Sequence, residues 1–293
     1  MKLQGEVERV EIDGERRMSL ARYGDTDAPR VLLFDPGSFG IYADGHHIAL
    51  DLARRGWYCI LTTRAGMYGS DPLPEGQPPL PSFHVQDMER VLDRLEVSRK
   101  VVLAGHSMAG VRVHLAGCMI PDRLAGLALL DAVCPSLMRG LRWAGWIAWA
   151  RGIGQAGAKV AGTALGDFVE TLHPNILELE GPPRADKLAS INSEQHLRTA
   201  AEEVAVTEKK ALDDTIEPAL HLPSFFATAT PVSQGTTALL QEYTEAGTWA
   251  RRIHFAKEGH MSMLTPPCAA QIADGIEDVW MHAEAKLPAA IAV

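Results

Sequence analysis

Residues 100–114 read KVVLAGHSMAGVRVH. A β-branched run meets GHSMAG, and Val111, Leu115 and Met119 then recur at helical spacing, so Ser107 falls at a corner between a strand and a helix. A serine hydroxyl is a poor nucleophile at neutral pH. It becomes a good one when a base lies within hydrogen-bond reach, a carboxylate orients that base, and N–H donors face the developing oxyanion. Such a turn demands small neighbours, and Gly105 and Ala109 supply them, with Gly110 following. A serine that merely closes a tight turn would read the same way, so its partners decide.

The base belongs on a loop after the last strand. Of the eleven histidines, His260 in FAKEGHMSMLTPP follows the strand RRIHFAK and precedes a proline-started helix, and is the match. The acid is less direct. After the strand LPSFFATA the chain reads TATPVSQGTT, with no carboxylate. Asp131 ends the apolar run LAGLALLDAV, at the carboxyl edge of the parallel strand next beyond that of the serine, and is the candidate acid. An aspartate there also serves as a turn or helix cap, and Glu258, Asp213, Asp214 and Glu217 stay open as alternatives. For the oxyanion, the Met108 N–H follows the nucleophile. The loop FDPGSFGIYADG offers a second donor from Ser38, or else from Gly37 or Phe39.

These residues need a scaffold that brings strand ends together. Residues 6–12 and 15–22 alternate in polarity about Asp13-Gly14, a two-residue hairpin signal. From RVLLF onward strands alternate with helical stretches: HHIALDLARRG, WYCILTT, FHVQDMERVLDRLEV, KVVLAG, the Ser107 helix and LAGLALLDAV. That order predicts an α/β fold with a mostly parallel central sheet and helices on both faces. The strand pattern stops between about Cys134 and Leu222 and then resumes. The expected division is therefore a core of residues 1–135 and 222–293 with an inserted helical cap at 136–221. In the cap, Trp143, Trp146 and Ile147 share one helix face. Such a stripe packs helices as a rule, and over a serine site it also offers an aromatic wall, so Trp143 and Trp146 join Phe39 and His106 as candidate substrate contacts. His106 is also placed to brace the corner. The cap's many glycines weaken helices by up to about 1 kcal/mol each, which suits a lid that moves.

Composition narrows the partners. The 293 residues carry a formal net charge of -9, and the 28 Lys and Arg are scattered, which excludes a nucleic-acid footprint. No stretch reads as a signal peptide or a bilayer span, so a cytoplasmic location is expected, with no membrane partner. Four cysteines, Cys59, Cys118, Cys134 and Cys268, lie far apart among apolar neighbours and read as buried reduced thiols, not as a metal or redox motif. The chemistry needs no cofactor and no metal. The oligomeric state is left open, a homodimer included.

The segments GHSMAG, DPGSFG, TTRAGMYGSDP, IPDRLAGLALLDA and EGHMSMLTPP together resemble the α/β-hydrolase superfamily over nearly the whole chain. Within it the sequence is most similar to lactone hydrolases acting on zearalenone-type macrolactones. The resemblance implies a Ser107-His260-Asp131 triad, with Asp131 where those enzymes have Glu and TATPVSQGTT where they too lack the usual acid. It implies a serine hydrolase cleaving a hydrophobic carboxylic ester or lactone. Departures are Ala109 in the elbow, where glycine is usual, and Thr63 in the D-x-x-G-x-G-x-S-like segment, where Asp is usual. A ligand-binding receptor on the same fold, a thioesterase, an amidase and a C–C bond hydrolase remain alternatives.

Overall fold

The structure, a computed structural model, describes residues 2–134, 141–163, 176–213, 216–233 and 235–285. One sheet of eight strands organises it, in the spatial order β1-β2-β4-β3-β5-β6-β7-β8. The strands are β1 (Lys2–Glu11), β2 (Arg17–Asp25), β3 (Arg30–Asp35), β4 (Trp57–Thr62), β5 (Val101–His106), β6 (Leu124–Leu130), β7 (Ser224–Thr228) and β8 (Ala250–His254). β1 and β2 form an antiparallel hairpin, β2 meets β4 antiparallel, and every pairing from β4 to β8 is parallel. The described helices are α1 (His46–Arg54), α2 (Pro81–Arg94), α3 (Ala109–Met119), α4 (Leu141–Val160), α5 (Gly181–Ile191), α6 (Glu194–Asp213), α7 (Thr236–Glu245) and α8 (Pro266–Ala285).

The continuous apolar runs are explained by burial on both faces. Successive strand residues point to opposite sides. Leu32, Phe34, Trp57 and Leu61 therefore pack with Ile272 and Ile276 of α8 on one face. Val31, Leu33, Tyr58 and Ile60 pack with Val85 and Val91 of α2 and Val113 of α3 on the other. A third cluster joins Met108, Val111 and Val133 of the sheet's upper edge to Val204 of α6.

Two expectations are corrected. The first turn is not a two-residue hairpin: Ile12 N–H donates to Arg16 O at 3.0 Å, leaving residues 13–15 in the loop. The Asp13 carboxylate closes it by accepting from the Arg16 N–H at 2.9 Å and the Arg16 Nε at 2.7 Å. Cys59, Cys134 and Cys268 are buried free thiols, but Cys118 is exposed, because it sits near the solvent end of α3. In α4, Gly154 and Gly157 also serve close packing. A Cβ on Gly154 would come within 2.9 Å of both Ala201 Cβ and Phe39 Cε1, and one on Gly157 within 3.1 Å of Leu197 Cδ1. Their missing side chains let α4 lie against α6.

Candidate active site

Strand register builds the site. His106, the last residue of β5, pairs with Leu130, the last of β6, so Ser107 and Asp131 leave the sheet side by side. Both turn there with left-handed backbone, φ 58° at Ser107 and 40° at Asp131. This conformation is rare for non-glycine residues and costs roughly 1–2 kcal/mol at each. The surrounding ladder holds it: Ser107 N–H donates to Leu130 O at 3.0 Å, and Asp131 N–H to Ala227 O at 2.6 Å. Crowding explains the small residues. A Cβ on Gly105 would lie 2.4 Å from Val113 Cγ2, and one on Gly110 2.4 Å from Val133 O. The methyl of Ala109 fits, packed over Gly105.

His260 comes to the same edge from the loop after β8, with its Nδ1 2.7 Å from Asp131 Oδ2. A carboxylate only accepts, so Nδ1 carries the proton and Nε2 is left with the lone pair. Asp131 is fully buried, which works against its charge. Hydrogen bonds from His260, the Thr230 hydroxyl at 2.5 Å, and the N–H groups of Ala229 at 2.9 Å and Thr230 at 3.0 Å outweigh burial and hold the carboxyl below its ordinary range. The acid-poor loop after β7 thus contributes donors instead of an acid. Of the alternative acids, Glu258 accepts from the Ser262 hydroxyl at 2.7 Å and Glu217 is exposed. The side chain of Asp213 and all of Asp214 lie outside the described residues.

His106 lies under His260, ring centroids 4.4 Å apart, and its Nε2 donates to the His260 backbone carbonyl at 2.9 Å. Burial, with His260 next, pushes its pKa down to about 3, so it stays neutral as it tethers the loop of His260.

The loop after β3 is held by charges that sequence reading missed. Arg64 donates through Nη1 to Pro36 O at 2.5 Å and through Nη2 to Gly37 O at 2.8 Å, and Arg112 donates to Pro36 O at 2.9 Å. Carbonyl and following N–H point opposite ways in a trans peptide, so this grip turns the Gly37 and Ser38 N–H groups away from the arginines. Among the described residues, the N–H groups of Ser38 and Met108 have no backbone acceptor, and the buried Ser38 hydroxyl has no hydrogen-bond partner. Asp35 bridges the two guanidinium groups, at 3.1 Å from Arg64 and 2.6 Å from Arg112. Glu203 of α6 closes the network on Arg64 at 2.6 and 2.8 Å, with His84 3.0 Å away. Burial opposes the Glu203 charge, but Arg64, Arg112 and His84 hold its carboxyl well below the usual range. Two signals are legible: Arg64 inside TTRAGMYGSDP, and Arg112 in the mostly apolar corner helix.

A cavity of about 270 Å³ gathers Ser107, His260, His106, Ser38 and Phe39 with Ile153 of α4 and Ile191 of α5. Trp143 and Trp146 fall in α4, and their side chains lie outside the described residues. A larger apolar cavity of about 450 Å³ opens at the far edge of the sheet, near Leu124, Pro223 and Trp280, away from every candidate nucleophile, base and acid. Among the described residues no group of three or more His, Cys, Asp or Glu is placed to hold a metal ion, and no helix is long and apolar enough to cross a membrane.

A family model described as the alpha/beta hydrolase family matches residues 31–273. No curated protein sequence matches the chain. Among solved structures, a provisionally assigned epoxide hydrolase from Pseudomonas aeruginosa superposes with a TM-score of 0.73 at 14% identity, over 97% of this chain and 99% of that one. An epoxide hydrolase from Vigna radiata gives 0.66 at 15% identity, over 94% and 97%. A laboratory-evolved variant of a potato epoxide hydrolase gives 0.65 at 15%, over 94% and 98%. At these identities the likeness is one of fold.

Proposed function

Because the chain belongs to the alpha/beta hydrolase family, we propose that it is a serine hydrolase cleaving a hydrophobic carboxylic ester or lactone. The observation that carries the reading is the 2.7 Å pair of Asp131 and His260 at the mouth of the cavity that Ser107 also lines. Ser107 attacks the acyl carbon. His260 Nε2 takes the hydroxyl proton and passes it to the leaving alkoxide, while Asp131 keeps the ring in the required tautomer. The oxyanion is received by the N–H of Met108 and that of Ser38, with Gly37 beside it. Water, deprotonated by His260, then releases the acyl group. The helices α4, α5 and α6 act as the cap over this mouth, and the apolar wall of Phe39, Ile153 and Ile191 favours a hydrophobic acyl or alkyl part. A macrolactone of the zearalenone type falls within that class.

The structural neighbours raise epoxide opening as the other reading, and the nucleophile argues against it. A carboxylate that opens an epoxide forms an ester that water can cleave. A serine would form an ether, which this site has no means to hydrolyse.

A serine-directed phosphonate tests the proposal. Stoichiometric labelling that Ser107→Ala abolishes, together with a loss of roughly 10³ to 10⁶-fold in ester turnover, is the expected result. Ligand binding with neither labelling nor turnover would make the protein a receptor on a hydrolase fold.

A further inference from the structure

The cavity wall holds one polar feature that ester cleavage does not require. Lys187 of α5 and Asp44, in the short 3-10 turn Tyr42–Gly45, face each other at 2.7 Å between Nζ and Oδ1, each 3% exposed. Both line the cavity that contains Ser107 and His260. The pair is built in. A Cβ on Gly40 would lie 2.5 Å from Asp44 Oδ2, so glycine leaves the carboxylate its place. The Tyr42 phenol donates to Asp186, fixing the residue beside Lys187, and Phe39 O accepts from Nζ at 3.3 Å. The nearby wall is Phe39, Ile153, Ile191 and Met261.

An ion pair in such a wall gives little stability over apolar residues of similar volume, so stability alone does not account for it. An ammonium carries three N–H donors. Phe39 O takes one of them, and Asp44 Oδ1, 2.7 Å away, balances the charge without accepting a hydrogen bond. We propose that a donor left free recognises a neutral oxygen acceptor on the substrate. The substrate class is then an apolar ester or lactone bearing a hydroxyl or keto oxygen away from the scissile carbonyl. Charge balance sets the word neutral: Asp44 already cancels Lys187, and a substrate carboxylate would enter an apolar cavity uncompensated. The inference rests on reading this cavity as the hydrolase site.

The test uses matched lactones and aryl esters that carry a hydroxyl, a keto group, hydrogen or a carboxylate at one carbon. The native protein should favour the hydroxyl and keto forms over the deoxy form by about tenfold in kcat/KM, and the carboxylate least. In Asp44→Leu/Lys187→Met the ratio should fall to near one. If that variant does not fold, judged by thermal unfolding, Asp44→Asn/Lys187→Gln decides in its place, with a reduced ratio expected. A ratio that neither variant changes, or a preference for the carboxylate, overturns the proposal. Calorimetric binding of the same compounds to Ser107→Ala separates this from the hydrolase reading. A Lys187-dependent preference in binding, from a protein that turns over none of them, would remove the hydrolysis and keep the recognition.

Discussion

Ser107 and Asp131 share an unusual backbone, and the two turns are coupled through neighbouring strand ends: Val133 N–H donates to Ser107 O at 2.9 Å. Precision at this corner is what single substitutions should reveal. With Asp131→Asn the amide can present its NH₂ to Nδ1, the wrong imidazole tautomer is favoured, and turnover of an activated ester should fall about 10⁴-fold. A small loss would pass the role to Glu258. Gly37→Ala places a methyl 2.8 Å from Ser107 Cβ and 3.2 Å from His106 Nδ1. Displacing Ser107, the proposed nucleophile, by part of an ångström should cost about 10²-fold in kcat with the protein still folded, which circular dichroism beside steady-state kinetics would check.

At the scale of elements, most of the scaffold could be read in the chain. The β-branched runs, the proline-started helices and the order serine, acid, histidine all follow from local pattern, and the register of β5 on β6 does bring residue 107 beside residue 131. What escaped was long-range charge. Arg64 and Arg112 each carry a local signal, but only folding shows them buried together with Asp35 and Glu203, and nothing local marks Asp44 and Lys187 as partners. Close approach at Gly154 and Gly157 is equally long-range, since sequence does not say which glycines face a neighbouring helix. Two expectations follow. Glu203→Gln leaves the two arginines facing one carboxylate and should destabilise the protein by about 3–5 kcal/mol in urea unfolding, lowering kcat more than it raises KM as the Pro36-Gly37 grip loosens. Gly154→Ala should cost about 1–3 kcal/mol by overpacking α4 against Ala201 and Phe39, seen as a lower Tm.

Taken whole, the molecule buries more histidine than its site requires. Burial lowers the pKa of His106 to about 3, of His114 to about 4 and of His196 to about 3, from an ordinary 6.5. Unfolding exposes all three, so below about pH 6.5 the unfolded chain binds protons that the native state refuses. Stability is complete above that pH and is lost as pH falls towards the folded values, at about 2 kcal/mol per histidine by pH 5. Glu203, held below 4.5, adds to the loss in more acid solution. Denaturant midpoints at pH 7.5 and pH 5 should differ accordingly, and His114→Phe should shrink the difference by about a third; equal midpoints in the native protein would contradict it. The loop after β7 carries a different message. Thr230 Oγ1 and His260 Nδ1 converge on one oxygen of Asp131, at 2.5 and 2.7 Å, so position 230 already borders the candidate acid. That position lies at the junction of two neighbouring strands, β6 and β7. A chain in which Thr230→Asp accompanies Asp131→Asn should recover part of the lost activity, relocating the acid by one strand without redesigning the protein.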